Sequence, residues 1–197
     1  MDALSQLIDA LRCLPGIGHK SAQRMAFYLL QYQRQRGLHL ATCLDTAMRM
    51  VKHCERCNNY TTEQQCNICV TQDRDPALLC VVESPADVVA IEQSHAYHGY
   101  YYVLMGKISP LDGIGPDDIG LPKLEQCIIN HNVMEVILAL SPTIEGQTTM
   151  HFIHTLLKPH ALQITQPAHG LPSGGELEFL DGRTIGNALN NRANVVL

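Results

Sequence analysis

Four cysteines form the most specific chemical pattern in the sequence. In CERCNNYTTEQQCNIC, two CxxC pairs are separated by eight residues. Each pair presents two thiolates from one turn, and two such pairs supply the four sulfur ligands of a tetrahedral zinc ion. A redox disulfide is the alternative, but redox chemistry requires only one CxxC. The sequence therefore predicts one structural zinc ion per chain, bound by Cys54, Cys57, Cys66 and Cys69.

The residues around this cluster support a metal rather than a disulfide. The intervening loop, NNYTTEQQ, offers almost no apolar core, so metal binding would supply its folding free energy. His53 adjoins the cluster and is predicted to be a surface histidine. The other four cysteines lie in apolar helix or strand patterns, and we predict that they are buried thiols: Cys13, Cys43, Cys80 and Cys127.

A glutamate at the end of an apolar strand is the second candidate for chemistry. In LLCVVESPAD a valine-rich run ends on Glu83, and a helical pattern begins at Pro85. Such a residue lies at the carboxyl edge of a parallel sheet, where active sites form. Asp87 follows on the same edge and Glu145 follows a later strand, so the three carboxylates could converge on a metal ion. The alternative is that they are structural carboxylates or bind a partner protein.

A glycine-containing turn, LPGIG, is the third candidate. Gly16 and Gly18 allow the backbone to approach a ligand closely, and the helix that follows directs its first amides toward an anion. Lys20 and Arg24 are four residues apart, on one face of that helix, where both can contact phosphate. The alternative is an ordinary helical hairpin in which the glycines only make the turn and the cations are solvated.

Three helices are predicted to position this turn. Residues 2–13 place apolar side chains at helical spacing, a second helix begins near Ser21, and a third lies around residues 44–51. Together they form a small helical cap.

From Leu78 onward, strands and helices alternate. The strands are LLCVV, YYYVLM, EVILALS and ALQIT, and the helices are PADVVAIEQ, PKLEQCIINH and TTMHFIHTLL. This alternation predicts an α/β fold with a mostly parallel sheet that is covered on both faces. A long loop rich in Gly, Pro and Asp, GKISPLDGIGPDDIG, connects the second strand to the next helix.

Charge is distributed unevenly along the 197 residues, whose net charge is −5. Residues 1–57 hold eight Lys/Arg and four Asp/Glu, whereas residues 58–197 hold six and fifteen. An anionic partner such as nucleic acid would therefore bind the first quarter of the chain, and the remainder would repel it. No apolar run is long enough to span a membrane, and the acidic N-terminus does not resemble a signal peptide. We expect a cytoplasmic protein, which would be associated with the nucleoid if the anionic partner is DNA.

These motifs together resemble the RecR family of bacterial recombination mediators. LPGIGHKSAQRMAFYLL resembles the helix-hairpin-helix motif of DNA-repair proteins, and CVVESPADV, SPLDGIGPDDI, ALSPTIEG and AHGLPSGGELEFLD are similar to motifs of that family. The resemblance runs from about residue 4 to residue 192. The sequence departs from the family at Met105, at Ser141 and at Gln166-Pro167.

The resemblance implies four modules in a multi-module α/β chain. A helix-hairpin-helix DNA-binding cap would occupy residues 1–53, and a four-cysteine zinc finger residues 54–69. A Toprim-like domain would occupy residues 77–172. A C-terminal strand and helix segment at residues 173–197 would contribute oligomer contacts.

The resemblance also bears on catalysis. Active Toprim enzymes pair a strand-end glutamate with a DxD on a later strand, and these carboxylates hold magnesium against phosphate oxygens. Glu83 fills the first role, but EVILALS leads into Ser141-Pro142-Thr143 and lacks both aspartates. We therefore expect a protein that is not an enzyme. The alternative is a magnesium-dependent phosphodiester enzyme of the nuclease or primase type.

The function implied by the resemblance is recombinational DNA repair after DNA damage. Such a protein binds single- and double-stranded DNA through backbone contacts, acts with RecO and RecF, and helps to load recombinase onto single-stranded DNA. It assembles with copies of itself into a dimer or a tetrameric ring. The hairpin residues Gly16, Gly18, Lys20 and Arg24 would contact DNA, and the carboxylates Glu83, Asp87 and Glu145 are candidates for binding a protein partner.

Overall fold

A computed structural model of the chain describes residues 2–160, 162–168 and 179–190. The chain divides into two compact units, Met1–Val51 and Lys52–Leu197. None of the helices in these described ranges combines the length and the apolar character that a membrane span requires.

The first unit contains three helices. They are α1 (Ala3–Leu11), α2 (His19–Tyr32) and α3 (Arg34–Met50). The Asp2 carboxylate caps α1 by accepting a hydrogen bond of 2.7 Å from the Ser5 amide. Ile8 of α1 packs with Ala22 and Ala26 of α2 in a small core. The sequence predicted these three helices correctly, although α2 begins two residues before the predicted start at Ser21.

The outer surface of this unit is unusually apolar. No residue of α3 is buried within the chain. We use the term apolar helical surface for ten exposed side chains of α2 and α3: Met25, Phe27, Tyr28, Leu30, Tyr32, Leu38, Leu40, Leu44, Met48 and Met50. A surface of this composition is typical of a protein–protein interface.

The second unit begins with three short elements around the cysteines. Strands β1 (Lys52–His53) and β2 (Tyr60–Thr61) pair antiparallel, and helix α4 (Asn67–Val70) follows them. The four cysteines of the two CxxC pairs form a small buried cluster of their own.

The remainder of the second unit is an α/β domain. Its strands are β3 (Asp75–Val82), β4 (Gly99–Val103), β5 (Glu135–Ala139) and β6 (Gln163–Thr165). Its helices are α5 (Pro85–Ser94), α6 (Leu121–Asn130) and α7 (Ile144–Leu157), with 3₁₀ turns at Pro110–Asp112 and Lys158–His160. The strand order is β4-β3-β5-β6 and every pairing is parallel, which confirms the predicted sheet.

Alternate residues of the strands enter two separate cores, because successive side chains of a strand point to opposite faces. Leu79, Val81 and Val136 pack on one face with buried residues of α6 and α7. Cys80 and Val82 pack on the other face with Val88 of α5. Both faces of the sheet are therefore covered, as the sequence predicted.

Most of the predicted C-terminal segment lies outside the described residues. Of residues 173–197, the structure describes only residues 179–190, which include helix α8 (Gly182–Asn190). The motif AHGLPSGGELEFLD also lies largely outside them.

Candidate functional site

The two CxxC pairs bring their four sulfurs together, as predicted. Cys54, Cys57, Cys66 and Cys69 are all buried, and their Sγ atoms lie within 4.8 Å of one another. The Cys66 amide donates to Cys54 Sγ at 3.3 Å, as amides commonly do to metal-bound thiolates. Hydrogen bonds from Cys57 and then Cys69 lower the pKa of the Cys66 thiol and favour its thiolate form. Four converging sulfurs with no open position fit a structural zinc ion.

Backbone geometry explains how the first pair closes. The Asn58 amide donates to the Cys54 carbonyl at 2.9 Å, and Asn58 has a positive φ of 62°, which turns the chain immediately after Cys57. We call residues 54–58 the zinc knuckle. The exposed His53 ring packs against Tyr60 with a centroid distance of 5.2 Å, and its surface position agrees with the prediction.

The zinc knuckle also bonds to the outermost strand of the described sheet, β4. The Val103 amide donates to the Cys57 carbonyl at 2.9 Å, and the Asn58 side-chain amide donates to the Val103 carbonyl at 2.7 Å. The Cys127 thiol of α6 donates to the Arg56 carbonyl at 3.3 Å. The knuckle thus completes hydrogen bonds that the edge of the sheet would otherwise leave open.

The predicted hairpin residues lie in the turn between α1 and α2. Gly16 has a φ of +77°, a conformation that favours glycine, and Gly18 is the N-cap residue of α2. No side chain in the described part of the protein caps this helix, and no acidic residue occupies its first turn. Lys20 and Arg24 are both exposed on α2. The turn is therefore accessible to an anion, with uncapped amides and two cations nearby.

Glu83 lies at the carboxyl edge of the sheet, as predicted, but its carboxylate is already engaged. Its Oε1 atom accepts hydrogen bonds of 2.7 Å from both the backbone amide and the hydroxyl of Ser141. The ammonium of Lys107 lies 3.9 Å from Oε2. The Glu83 side chain is only 16% exposed, so this carboxylate connects the ends of β3 and β5 within the protein.

Sequence reasoning did not identify Lys107 as part of this group. Its Nζ atom lies 3.5 Å from Ser141 Oγ and 3.4 Å from Thr143 Oγ1. The available signal was that Lys107 is the only Lys or Arg between Arg74 and Lys123. A single cation in a long loop near the carboxyl edge of the sheet is a candidate counter-ion for a glutamate at that edge.

The other two carboxylates do not join Glu83. Asp87 caps α5 by accepting hydrogen bonds from the Ser84 amide at 2.8 Å and from its hydroxyl at 2.9 Å. Glu145 lies in the first turn of α7, where a hydrogen bond from its own backbone amide, and then one from Thr143, lowers its pKa. Among the described residues, only the four cysteines form a group of His, Cys, Asp or Glu that could hold a metal. The hypothesis that Glu83, Asp87 and Glu145 converge on a metal is therefore wrong for this structure.

Two of the four remaining cysteines also differ from the prediction. Cys80 and Cys127 are buried, and burial raises the pKa of Cys80 to about 12. Cys13 and Cys43 are exposed. Cys13 lies in the turn after α1, and Cys43 lies on the outer side of α3 with its sulfur 3.5 Å from His39 Nε2. Helical periodicity placed Cys43 on an apolar stripe, but no described residue of this chain covers that stripe.

Four family models match the chain in consecutive order. They are the RecR helix-hairpin-helix over residues 4–48, the RecR four-cysteine zinc finger domain over residues 51–69, the Toprim domain over residues 77–168 and the RecR C-terminal segment over residues 170–193. The zinc finger match covers all four clustered cysteines. The Toprim match covers Glu83 and nearly the whole of the parallel sheet.

The sequence is similar to recombination proteins over almost its full length. "Recombination protein RecR" of Legionella pneumophila strain Corby is 68% identical over 193 residues, which cover 98% of this chain and 98% of the relative. The protein of the same description from strain Philadelphia 1 is 67% identical over 193 residues, covering 98% of this chain and 97% of the relative. The chain therefore belongs to the RecR family of recombination proteins, with a helix-hairpin-helix, a structural four-cysteine zinc finger and a Toprim domain.

Proposed function

We propose that this protein is a non-catalytic, DNA-binding mediator of recombinational DNA repair. It acts with RecO and RecF and helps to load recombinase onto single-stranded DNA. The observation that carries the non-catalytic part is the environment of Glu83. The carboxylate that would hold a divalent cation in a Toprim enzyme instead accepts hydrogen bonds from Ser141, with the Lys107 ammonium beside it.

The chemistry of this group supports a protein without magnesium-dependent catalysis. Magnesium requires several fixed oxygen ligands in nearly octahedral geometry. Ser141 contributes an N–H donor and an O–H donor toward Glu83, where a catalytic site needs further carboxylate oxygens. Lys107 contributes a positive charge close to the same carboxylate, which opposes the binding of a second cation.

The DNA-binding part of the proposal rests on the hairpin. The uncapped amides of α2 follow Gly18, and Lys20 and Arg24 lie on the exposed surface of the same helix. These groups suit phosphate oxygens, which carry no base sequence, so binding is expected at any DNA sequence. One hairpin makes few contacts, and several held in one assembly gain affinity through avidity.

The assembly part rests on the apolar helical surface and on the carboxylate of Glu145. Ten apolar side chains of α2 and α3 are exposed in the isolated chain, which suits contact with a second copy in a dimer or a tetrameric ring. Glu145 lies partly exposed in the first turn of α7, and it is one of three candidates for a contact with a basic surface of RecO. Asp87 and Glu83 are the other two candidates, and Asp87 Oδ2 and Glu83 Oε1 each accept an internal hydrogen bond.

The hairpin proposal is tested by DNA-binding measurements at several salt concentrations. Lys20→Ala and Arg24→Ala should each weaken binding to every DNA sequence. Each should also lower the slope of log affinity against log salt by about 0.9 for every phosphate that is no longer neutralised. Gly16→Val should weaken binding most, because valine opposes the positive φ that forms the turn. Arg49→Ala is the matched control, since Arg49 pairs with Asp45 on α3 at 2.8 Å.

The result that contradicts this proposal is equally specific. If Arg49→Ala weakens DNA binding as much as Lys20→Ala, the hairpin is only a structural turn. Magnesium-dependent nicking or strand synthesis by the pure protein, abolished by Glu83→Ala, would contradict the non-catalytic function. Size-exclusion chromatography with light scattering tests the RecO contact, which Glu145→Ala should weaken most at low salt.

A further inference from the structure

A cavity of about 370 Å³ lies between the zinc knuckle and α6. Its volume is near the lower end of the range of small-molecule sites, roughly 300 to 1,000 Å³. The knuckle side includes His53, Arg56 and Asn58, and the α6 side includes Lys123, Gln126 and Asn130. All of these residues belong to the second unit, so the cavity is distinct from the hairpin.

The α6 wall presents hydrogen-bonding groups that have no partner in the described chain. Lys123, Gln126 and Asn130 are three and four residues apart and therefore share one face of the helix. None of their side chains makes a hydrogen bond or an ion pair to a described residue. Four other polar side chains of the cavity already have partners. Asn58 donates to Val103, and Tyr102 donates to the Gly120 carbonyl at 2.8 Å. A ring nitrogen of His53 and one of His131 lie 3.0 Å and 2.9 Å from backbone carbonyl oxygens.

On the opposite wall, Arg56 is held in place with its donors open. The central carbon of its guanidinium lies 3.6 Å from the centre of the Tyr100 ring, a stacking contact that restricts the side chain. Its guanidinium makes no hydrogen bond to a described residue. A stacked guanidinium keeps its N–H groups in the plane of the fork, which is the geometry that binds phosphate through two oxygens. Because the side chain is already ordered, a ligand loses less conformational entropy when it binds.

The local charge differs from that of the rest of the unit. Residues 52–197 carry sixteen acidic and eight basic side chains, yet Arg56 and Lys123 line the cavity with only one carboxylate, Glu55. A zinc ion with four thiolates adds a formal negative charge beside Cys54, and the Cys66 amide that donates to Cys54 Sγ offsets part of it. The expected affinity for an anion is therefore modest, in the micromolar to millimolar range.

We propose that this cavity binds a phosphate group, supplied by a free nucleotide or by one residue of a nucleic-acid strand. The Arg56 fork and the Lys123 ammonium contact the phosphate oxygens, and the amides of Gln126 and Asn130 supply neutral donors. A carboxylate has two oxygens, a phosphodiester of a strand has two non-bridging and two ester oxygens, and the terminal phosphate of a nucleotide has three non-bridging oxygens, so a terminal phosphate engages the most donors. This site goes beyond the proposed DNA contact at the hairpin.

The test titrates pyrophosphate, the first probe, into the full-length, zinc-loaded protein. Binding is measured from the NMR shifts of the backbone amides of α6 and the zinc knuckle in isotope-labelled protein. Lys123→Gln and Arg56→Gln should each weaken pyrophosphate binding at least five-fold. Lys158→Gln is the matched control, because it removes the same charge from an exposed lysine of the same unit outside the cavity. The affinity of this variant for pyrophosphate should stay within two-fold of wild type. Zinc content is measured for every variant, and Lys123→Gln decides the outcome if Arg56→Gln loses zinc.

Two further probes distinguish the source of the phosphate. A free nucleotide, dTMP, should displace pyrophosphate as well as an eight-residue oligothymidylate if the ligand is a mononucleotide. The oligonucleotide should be at least ten-fold stronger if the ligand is a strand. The variant Lys20→Gln should leave pyrophosphate binding unchanged even where it weakens DNA binding, which separates this site from the hairpin. Equal losses in Lys123→Gln and Lys158→Gln, or no loss in Lys123→Gln, would overturn the proposal.

Discussion

Glu83 connects the ends of two neighbouring strands, and its removal should cost stability. Glu83→Ala leaves the Ser141 amide without its acceptor and Lys107 without its nearest carboxylate. Removing a hydrogen bond to a largely buried charged group costs about 1–3 kcal/mol. We expect the free energy of unfolding to fall by about that amount, measured by urea denaturation of the zinc-loaded protein. Glu63→Ala, at an exposed position of the same unit, is the control and should change it little; equal losses would contradict a structural role for Glu83.

A second internal ion pair involves Arg74, which lies just before β3. The Arg74 guanidinium pairs with the Glu92 carboxylate and also donates to the Gly99 carbonyl at 2.9 Å. The Tyr101 hydroxyl donates to Glu92 at 2.6 Å. Burial raises the pKa of the Glu92 carboxyl, but the hydrogen bonds from Arg74 and Tyr101 outweigh it and leave the pKa below its ordinary value.

This lowered pKa makes stability depend on pH in a defined direction. The folded protein holds Glu92 ionised more strongly than the unfolded chain does, so its contribution is present above the unfolded pKa, about 4.3. The contribution is lost as pH falls through the folded pKa. The difference in unfolding free energy between wild type and Glu92→Gln should therefore be larger near neutral pH than in acid below that unfolded pKa. Zinc loss in acid affects both proteins, and exposed Glu63→Gln should show no such trend.

Single residues differed in how well the sequence predicted them. Glu83 and the four clustered cysteines were found because strand ends and CxxC spacing are local patterns. Lys107 was missed, because its neighbour Ser141 is 34 residues away and the contact depends on how the loop folds over the sheet. The pairing of Arg74 with Glu92 was missed for the same reason.

Disruption of the zinc knuckle should affect both the zinc site and the neighbouring strand β4. Cys57→Ser removes one of four ligands, and the Cys57 carbonyl also accepts the hydrogen bond from Val103 of β4. Zinc content should fall well below one ion per chain, and the thermal midpoint should fall with it. Cys43→Ser is the control, since Cys43 is exposed and outside the cluster. A Cys57→Ser protein with full zinc content would contradict the four-sulfur site.

At the level of elements, the sequence predicted the helices and the parallel strands well. Periodicity identified α1, α2 and α3, and short apolar runs identified β3 and β5, because both signals come from neighbouring residues. Neither periodicity nor an apolar run indicates which part of the chain, or which other protein, covers an apolar face. Helix α3 has an apolar stripe that no described residue of the chain buries, and for this reason the predicted burial of Cys43 was wrong.

For the whole molecule, the apolar helical surface predicts self-association. Light scattering at micromolar protein should show a dimer or a tetramer. Leu44→Glu places a charge on this surface and should shift the protein to a smaller species. Leu111→Glu is the matched control, because Leu111 is 97% exposed in the loop before α6. A wild-type monomer, or an equal shift by both variants, would contradict assembly through α2 and α3.

The zinc knuckle has a further consequence for solubility. Strand β4, with the sequence GYYYV, is the outermost strand of the described sheet on its side, and its Val103 backbone groups are occupied by Cys57 and Asn58. An uncovered edge rich in tyrosine and valine is a template for pairing with the same strand of another chain. The zinc knuckle therefore blocks the Val103 end of this edge from pairing with another chain. Protein stripped of zinc by a chelator should therefore aggregate more readily than zinc-loaded protein, as measured by light scattering.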